Sequence, residues 1–298
     1  MADGSNAGRV VVIGDALIDE IHREGSVDTF VGGAALNVAV GLSVLGIPAT
    51  LLAMIGDDAD GERIRAFLTE HGVTLIPTIG PNGSSRAVSD RVNGEPVYTF
   101  NTAAQRRRVE FGAAEQEALD AAPLVAVSSF PFDDTAQTAD LVLAVKDPKT
   151  RLAIDPNPRA GMLHNRVTFR DTFDRVAQNT LLVKVGDDDS ALLYGTNVEE
   201  LSARLLADGT PTVLATAGRH GASVETGGGI MATEPVADLP GPVIDTMGAG
   251  DATLASVIQS ILADGFPGDA ASWHTVLTRA MSIAAATCRS EGALLRLP

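Results

Sequence analysis

Residues 245–252 read DTMGAGDA, with two glycines and an alanine between two aspartates, and the apolar run TLASVIQSIL follows with a helical period. Backbone N–H groups in the first turn of a helix have no partner within the helix, and with the helix dipole they form a site for an anion. The small residues Gly248, Ala249 and Gly250 would let a bulky anion approach these groups closely. A simple helix N-cap with a tight turn would also favour glycine and aspartate.

Asp251 is poorly explained by a cap alone. A carboxylate beside an anion site repels a bound phosphate, unless it accepts the proton of a hydroxyl group that attacks that phosphate. The stretch therefore predicts a phosphoryl-transfer site in which Asp251 activates the nucleophile. The chain has no P-loop motif, no complete dinucleotide fingerprint and no histidine pair at metal-ligand spacing, which argues against the competing chemistries.

Upstream of this stretch, apolar runs alternate with helical patterns. The runs predicted as buried strands are RVVVIG before Asp15, PLVAV before Ser128, RLAI before Asp155, TLLVKV before Gly186 and PTVLATA before Gly218. The predicted helices lie at 34–46, 60–72, 134–146 and 198–209. This alternation predicts a three-layer, doubly wound α/β fold with a mostly parallel sheet.

Polar residues follow these strands, and ligands of open α/β sheets bind beyond the carboxyl ends of the strands. We therefore expect one edge of the sheet to collect Asp15, Asp155, Asn157, Asp187 to Asp189, Gly218 and the 245–252 stretch. Two further segments, 20–31 and 86–101, alternate with period two, and Asn93-Gly94 predicts a turn in the second. These segments predict antiparallel strands outside the main sheet.

The charge and cysteine content limit the partners and the compartment. The 298 residues carry a formal net charge of -16, so nucleic acid and anionic membranes are disfavoured as partners. The one cysteine, Cys288, cannot form an internal disulfide, and no apolar stretch is long enough for a secretory or transmembrane segment. A cytoplasmic location is the expectation.

At this point the sequence resembles the ribokinase-like, or PfkB, carbohydrate kinases. The match rests on 245–251, on Gly32-Gly33-Ala34-Ala35-Leu36-Asn37-Val38-Ala39 and on IGDDADGERI at 55–64, and it extends from about Val10 to Ala293. The resemblance implies a single kinase domain over 1–298, with a β-sheet lid formed by about 16–31 and 86–101. It also implies ATP, Mg²⁺ and a small sugar as ligands, with K⁺ as a further candidate cation and a homodimer through the lid as a candidate assembly.

The resemblance also implies roles for individual residues. Asp251 would be the catalytic base, and Gly248, Ala249 and Gly250 the anion hole. The matching sugar-pocket positions are Asp15, Asp19, Gly32, Gly33, Asn37, Asn157 and Arg159, the last two in a DPNxR stretch, with Phe100 on the lid beside Tyr98. The matching nucleotide positions are Lys184, Thr216, Gly218, Gly221 and Thr246, and Asp189 would help to organise Mg²⁺.

Two departures from the family pattern bear on the substrate. Gly186 stands where many members have the asparagine of an N-x-x-E stretch, and Ala34 stands where ribokinases proper often have lysine. The second departure favours a fructose-like sugar or a 2-keto-3-deoxy sugar acid over ribose. A nucleoside kinase is disfavoured by the 4% aromatic content, and a non-catalytic sugar- or nucleotide-binding regulator is the alternative outside the enzymes. Arg106, Arg107 and Arg108 predict a solvated basic face more readily than a sugar-acid site.

Overall fold

The structure is a computed structural model, and it describes residues 8–23, 26–92 and 95–298. Its larger sheet consists of β1 (Val10–Gly14), β4 (Ala49–Ile55), β5 (Thr74–Ile79), β8 (Val125–Ser128), β9 (Leu152–Asp155), β10 (Leu182–Gly186), β11 (Thr212–Thr216), β12 (Ala222–Thr226) and β13 (Met231–Glu234). Over the described residues the strand order is β13-β12-β11-β10-β9-β8-β1-β4-β5. The strands from β5 to β11 in this order pair in parallel, whereas β12 and β13 are antiparallel.

Helices cover both faces of this sheet. One face carries α1 (Ala34–Val44), α2 (Ala59–Glu70), α10 (Ala249–Asp264) and α11 (Ala270–Thr287). The other carries α4 (Ala113–Ala121), α5 (Thr135–Ala144), α7 (Arg166–Ala177), α8 (Asp187–Tyr194) and α9 (Val198–Ala207). Two single-turn helices, α3 (Thr102–Gln105) and α6 (Pro148–Arg151), lie in connections. The alternating residues of β1 show the layering. Val10 and Val12 pack in the core on the α1 and α10 face of the sheet, and Val11 and Ile13 pack in the core on the opposite face.

The smaller sheet consists of β2 (Leu17–Arg23), β3 (Ser26–Gly32), β6 (Ser85–Val92) and β7 (Glu95–Phe100), in the order β3-β2-β6-β7. β2 and β3 form one antiparallel hairpin, and β6 and β7 form another. The expected antiparallel strands outside the main sheet are thus confirmed, and the two hairpins join through a parallel pairing of β2 with β6. The predicted turn at Asn93-Gly94 lies outside the described residues.

The order of the large sheet reverses beside β1. The chain runs from β1 outward to β4 and β5, and then returns to β8 on the other side of β1. Ligand sites of doubly wound sheets lie at such a reversal, beyond the carboxyl ends of the strands. The two strand ends pack closely there, because a Cβ at Gly14, whose φ is +153°, would come within 1.8 Å of the Ser128 carbonyl oxygen.

The predicted fold class is confirmed. Each of the five predicted strands and each of the four predicted helices is present, with ends that move by at most a few residues. None of the helices in the described ranges is long and apolar enough to cross a membrane. The homodimer through the lid stays a prediction.

Candidate active site

The glycine-rich turn before α10 leaves backbone amides unpaired. Gly248 is the N-cap residue in the left-handed region, with φ +76°, and a Cβ there would lie 1.9 Å from the Ala293 carbonyl oxygen. Ala249 N donates to Thr246 O at 3.4 Å, and the next amide with a backbone partner is that of Ala252. Within the described part of the chain the N–H groups of Gly250 and Asp251 therefore have no acceptor, as an anion site requires.

Asp251 lies in the first turn of α10, beside these amides, and is 8% exposed. Its Oδ2 accepts a hydrogen bond of 2.9 Å from Asn37 Nδ2 on α1. Burial, and then the charge of Asp155, raise the pKa of Asp251 to about 7, although the Asn37 hydrogen bond lowers it. A carboxylate with a pKa near neutrality is suited to accept a proton under physiological conditions.

A buried ion pair lies beneath the turn. Lys184 Nζ donates to Asp155 Oδ2 at 2.8 Å, and both side chains are at most 8% exposed. A Cβ at Gly250 would lie 2.9 Å from this Nζ, so the ammonium group packs directly against the glycine. Burial alone would lower the pKa of Lys184, but the charges of Asp155, Asp189 and Asp251 and the hydrogen bond to Asp155 together outweigh it and raise the pKa, so the lysine is a permanent cation behind the unpaired amides.

Two further aspartates lie where the large and small sheets meet. Asp15 follows β1, is buried, and accepts a 3.1 Å hydrogen bond from Ala35 N at the start of α1. Asp19 lies on β2, and its Oδ2 is so close to Gly32 that a Cβ there would come within 2.3 Å. Burial, and then the charge of Asp15, raise the pKa of Asp19 to about 7. Gly33 has φ +115°, a conformation that brings its backbone against Asp15 O.

A cavity of about 140 Å³ opens beside these residues. It is bounded by Asp19 and Gly32 of the small sheet, by Asn37 of α1, and on the other side by Ile244, Asp245, Met247 and 291–294. Asn37 therefore lines the cavity and binds Asp251 as well. The Asn37 side chain thus connects the cavity to Asp251, whose backbone N–H is one of the two unpaired groups.

The DPNxR stretch follows β9 at the same edge. Asn157 is buried with φ +37°, and Arg159 is exposed. The charge of Arg159 lowers the pKa of Asp15, Asp19, Asp189 and Asp251, so the guanidinium group acts on all four carboxyl groups. Phe100, at the end of β7, packs against Gly161, where a Cβ would lie 2.7 Å from the ring.

The predicted nucleotide positions lie farther along the edge, after β10 and β11. Thr216 Oγ1 donates to Val185 O at 3.3 Å, and Thr216 pairs with Gly186 across the two strands. A short 3₁₀ turn over Gly218–His220 follows, and Gly221, with φ +94°, packs against the Glu234 carbonyl oxygen. Thr246 is exposed at the mouth of the glycine-rich turn. The roles of these residues stay predictions.

Asp189, the predicted Mg²⁺ residue, caps its own helix. Its Oδ2 accepts from Gly186 N at 2.7 Å, and burial raises its pKa to about 6, although the charge of Lys184 opposes this. The described residues contain no group of three or more His, Cys, Asp or Glu side chains that could hold a metal ion. Mg²⁺ usually takes one or two carboxylates with substrate phosphates and water, so Asp189 is compatible with that role, which stays a prediction.

The expectation of a solvated basic face was wrong for Arg107. Arg106 and Arg108 are exposed, but Arg107 is 7% exposed, and its Nε donates to Ser129 O at 3.0 Å. Burial lowers the pKa of Arg107, whereas the charge of Asp15 raises it. The apolar neighbours Ala103, Ala104 and Val109 are the signal in the sequence that this segment turns inward. The Asn37–Asp251 contact carried no such signal.

The fold and the site together define a sugar phosphotransferase. The chain belongs to the pfkB family of carbohydrate kinases, because the family model described as "pfkB family carbohydrate kinase" matches residues 8–298. It is 28% identical to the fructokinase of Klebsiella pneumoniae, over 98% of this chain and 96% of that protein. It is 29% identical to the fructokinase of Rhizobium leguminosarum bv. trifolii, over 86% and 80% respectively.

Solved structures share the fold. The aminoimidazole riboside kinase of Salmonella enterica, complexed with aminoimidazole riboside and an ATP analogue, superposes with a TM-score of 0.78 at 23% identity, over 98% of this chain and 97% of that chain. The fructokinase of Vibrio cholerae O395, in its fructose-, ADP- and calcium-bound form, gives 0.76 at 21% identity, over 97% and 95%.

Proposed function

We propose that this carbohydrate kinase transfers the γ-phosphoryl group of ATP to a hydroxyl group of a fructose-like sugar, with Asp251 as the general base. The observation that carries the proposal is that the Asp251 carboxylate lies in the same helical turn as two unpaired amides, those of Gly250 and Asp251. The curated fructokinase relatives support the choice of sugar.

The sugar would occupy the cavity bounded by Asp19, Gly32 and Asn37, with Asp15 and Arg159 nearby. Asn37 already occupies Oδ2 of Asp251, so Oδ1 is the oxygen left to accept the proton of the attacking hydroxyl group. As the proton leaves, negative charge develops on the transferring group, and the unpaired amides of the turn stabilise it. The Phe100 side of the small sheet would exclude water from the site.

ATP would bind at the part of the large sheet's carboxyl edge that the sugar leaves free, near the ends of β10 and β11. Lys184 supplies a fixed positive charge behind the amides. Thr216 ends the neighbouring strand β11, Gly218 and Gly221 follow it, and Thr246 precedes α10. Mg²⁺, held by the phosphates with Asp189 near by, would neutralise phosphate charge when bound. A monovalent cation such as K⁺ stays a further candidate.

The test is a coupled assay of ADP release over fructose, ribose, a nucleoside and a 2-keto-3-deoxy sugar acid. Asp251→Asn should lower kcat by roughly 10² to 10⁴ with a modest change in KM, because it removes proton transfer and leaves binding intact. Asp264→Asn, at the exposed last residue of the same helix, is the matched control and should retain activity. Near-normal turnover of Asp251→Asn would exclude Asp251 as the base.

A further inference from the structure

The polar lining of the cavity beside Asp251 is acidic. Its polar side chains are Asp19, Asn37, Asp245 and Glu291, and no lysine, arginine or histidine is among the described residues that line it. An ionised carboxylate accepts hydrogen bonds and repels an anion. The lining therefore favours ligands that carry hydrogen-bond donors and no negative charge.

Asn37 independently indicates that the cavity favours a ligand with hydrogen-bond donors. It is 7% exposed, and its Nδ2 donates to Asp251 Oδ2. The other end of the amide, Oδ1, is buried and has no partner among the described residues. An unpaired buried acceptor is unfavourable, and a hydroxyl or ammonium donor can pair with it whereas a carboxylate or phosphate oxygen cannot.

Glu291 stands at the exposed rim of this cavity on a loop that is fixed at both ends. Gly292 N donates to Asp245 Oδ2 at 3.3 Å, and Ile244 N donates to Cys288 O at 2.8 Å. These bonds attach the loop to residues 244 and 245, which lead into the glycine-rich turn. The loop that carries Glu291 is therefore attached to the rim of the cavity on both sides of this residue.

Two of the cations near the candidate site are already paired with a carboxylate or with carbonyl groups. Lys184 is paired with Asp155, and Arg107 donates to Ser129 O and Ala104 O. The third, Arg159, is exposed, and its charge lowers the pKa of Asp15 and Asp19. An anionic sugar would bring another negative charge to a region in which acidic groups outnumber these three cations.

We propose that this cavity accepts uncharged or cationic sugars and rejects sugar acids and sugar phosphates, and that Glu291 is a residue that determines this specificity. The inference rests on the proposed function, because it names the substrate class of the same site. The apolar lining, which includes Phe30 and Met247, suits the C–H faces of a sugar ring.

The experiment measures kcat/KM for D-fructose, 1-amino-1-deoxy-D-fructose, D-fructose 6-phosphate and 2-keto-3-deoxy-D-gluconate. With the wild-type protein we expect the two anionic compounds to be at least about 100-fold poorer than the best of the other two, since like charges at close range cost several kcal/mol. Glu291→Lys should improve the anionic compounds relative to fructose by about tenfold, and Glu291→Gln by about threefold, because the residue is exposed and partly screened.

Glu117→Gln, which removes an exposed carboxylate from α4 on the opposite face of the large sheet, is the matched control and should leave the ratios unchanged. Equal use of anionic and neutral sugars by the wild type, or unchanged ratios in Glu291→Lys, would overturn the inference while leaving the kinase intact.

The same four compounds are also tested by thermal shift without nucleotide, because a ligand that binds the native state raises Tm. If no compound releases ADP, the proposed function fails, and the order of the Tm shifts still decides the specificity. A larger shift with the anionic compounds than with fructose, or no shift with any of them, would overturn the inference as well.

Discussion

Asn37 Nδ2 donates a 2.9 Å hydrogen bond to Asp251 Oδ2, and so joins two helices whose contacting residues are 214 positions apart in the chain. Both side chains are at least nine-tenths buried. The bond fixes one oxygen of the proposed base and leaves the other available. It also favours the ionised form of the carboxylate.

Asn37→Ala should therefore change the pH dependence of turnover. Asp251 acts only when ionised, so kcat should rise with pH through the pKa of about 7. Because the substitution removes a hydrogen bond that lowers this pKa, the midpoint should move to higher pH by about one unit, given about 1.5 kcal/mol for a hydrogen bond to a charged group.

The measurement is kcat at saturating sugar between about pH 5.5 and 9, with the exposed Asn179→Ala as the control. Asn37 also lines the cavity, so KM should rise. A rise in KM with an unmoved midpoint would mean that Asn37 binds sugar without influencing the base.

Asp251→Asn should stabilise the folded protein at alkaline pH. The pKa of Asp251 is raised in the folded state to about 7, so between about pH 4 and pH 7 the folded protein holds a proton that the unfolded chain has released. The contribution of this residue to the free energy of unfolding therefore falls as pH rises through that window. The asparagine carries no charge, so the substitution removes the cost of burying an ionised carboxylate.

We expect a gain of about 1 to 3 kcal/mol at pH 8, which disappears near pH 4, because the neutral forms of the two side chains are then equivalent. Urea unfolding at the two pH values measures it. Equal unfolding free energies for the variant and the wild type at pH 8 would contradict the prediction.

Gly248→Ala should destabilise the protein through the contact with Ala293. Gly248 and Gly195 both have left-handed backbones, with φ of +76° and +69°, but only Gly248 has a heavy atom within 4 Å of the Cβ position. Gly195→Ala should cost about 1 kcal/mol for the backbone conformation alone. Gly248→Ala should cost about 2 kcal/mol more, because the methyl group overlaps the Ala293 carbonyl group.

Urea unfolding of the two variants provides the comparison, and turnover should fall in Gly248→Ala only, since the start of α10 must move. Equal unfolding free energies in the two variants would show that the 291–294 loop does not press on the turn in solution.

The fold and the edge that carries the site could be predicted because both depend on local patterns. Buried parallel strands are continuous apolar runs, and the residues that follow them, such as Asp15 and Asp155, share one edge for topological reasons. The pairing of β2 with β6 could not be predicted, since a period-two pattern fixes which face a residue occupies and not which strand lies beside it.

Contacts between segments that are distant in the chain could not be predicted from the sequence either. Asn37 and Asp251 belong to separate motifs, and nothing in either motif states that they touch. Arg107 looked solvated because arginine is rarely buried, but its carbonyl partners at Ser129 and Ala104 and the charge of Asp15 make the buried position tolerable. The residue is stabilised in part by backbone acceptors that no side-chain pattern records.

The β2–β3 hairpin is attached to the rest of the molecule by very short joints. Asp15 and Ala16 connect it to β1, and Gly33 alone connects it to α1, with the Gly33 backbone packed on Asp15 O. Any rotation of the hairpin relative to the large sheet must take place at these residues, and two of them, Asp15 and Gly33, also match sugar-pocket positions. The hinge and the proposed sugar pocket therefore share residues, so that a bound sugar would stiffen the joint directly, without a relay through the remainder of the protein.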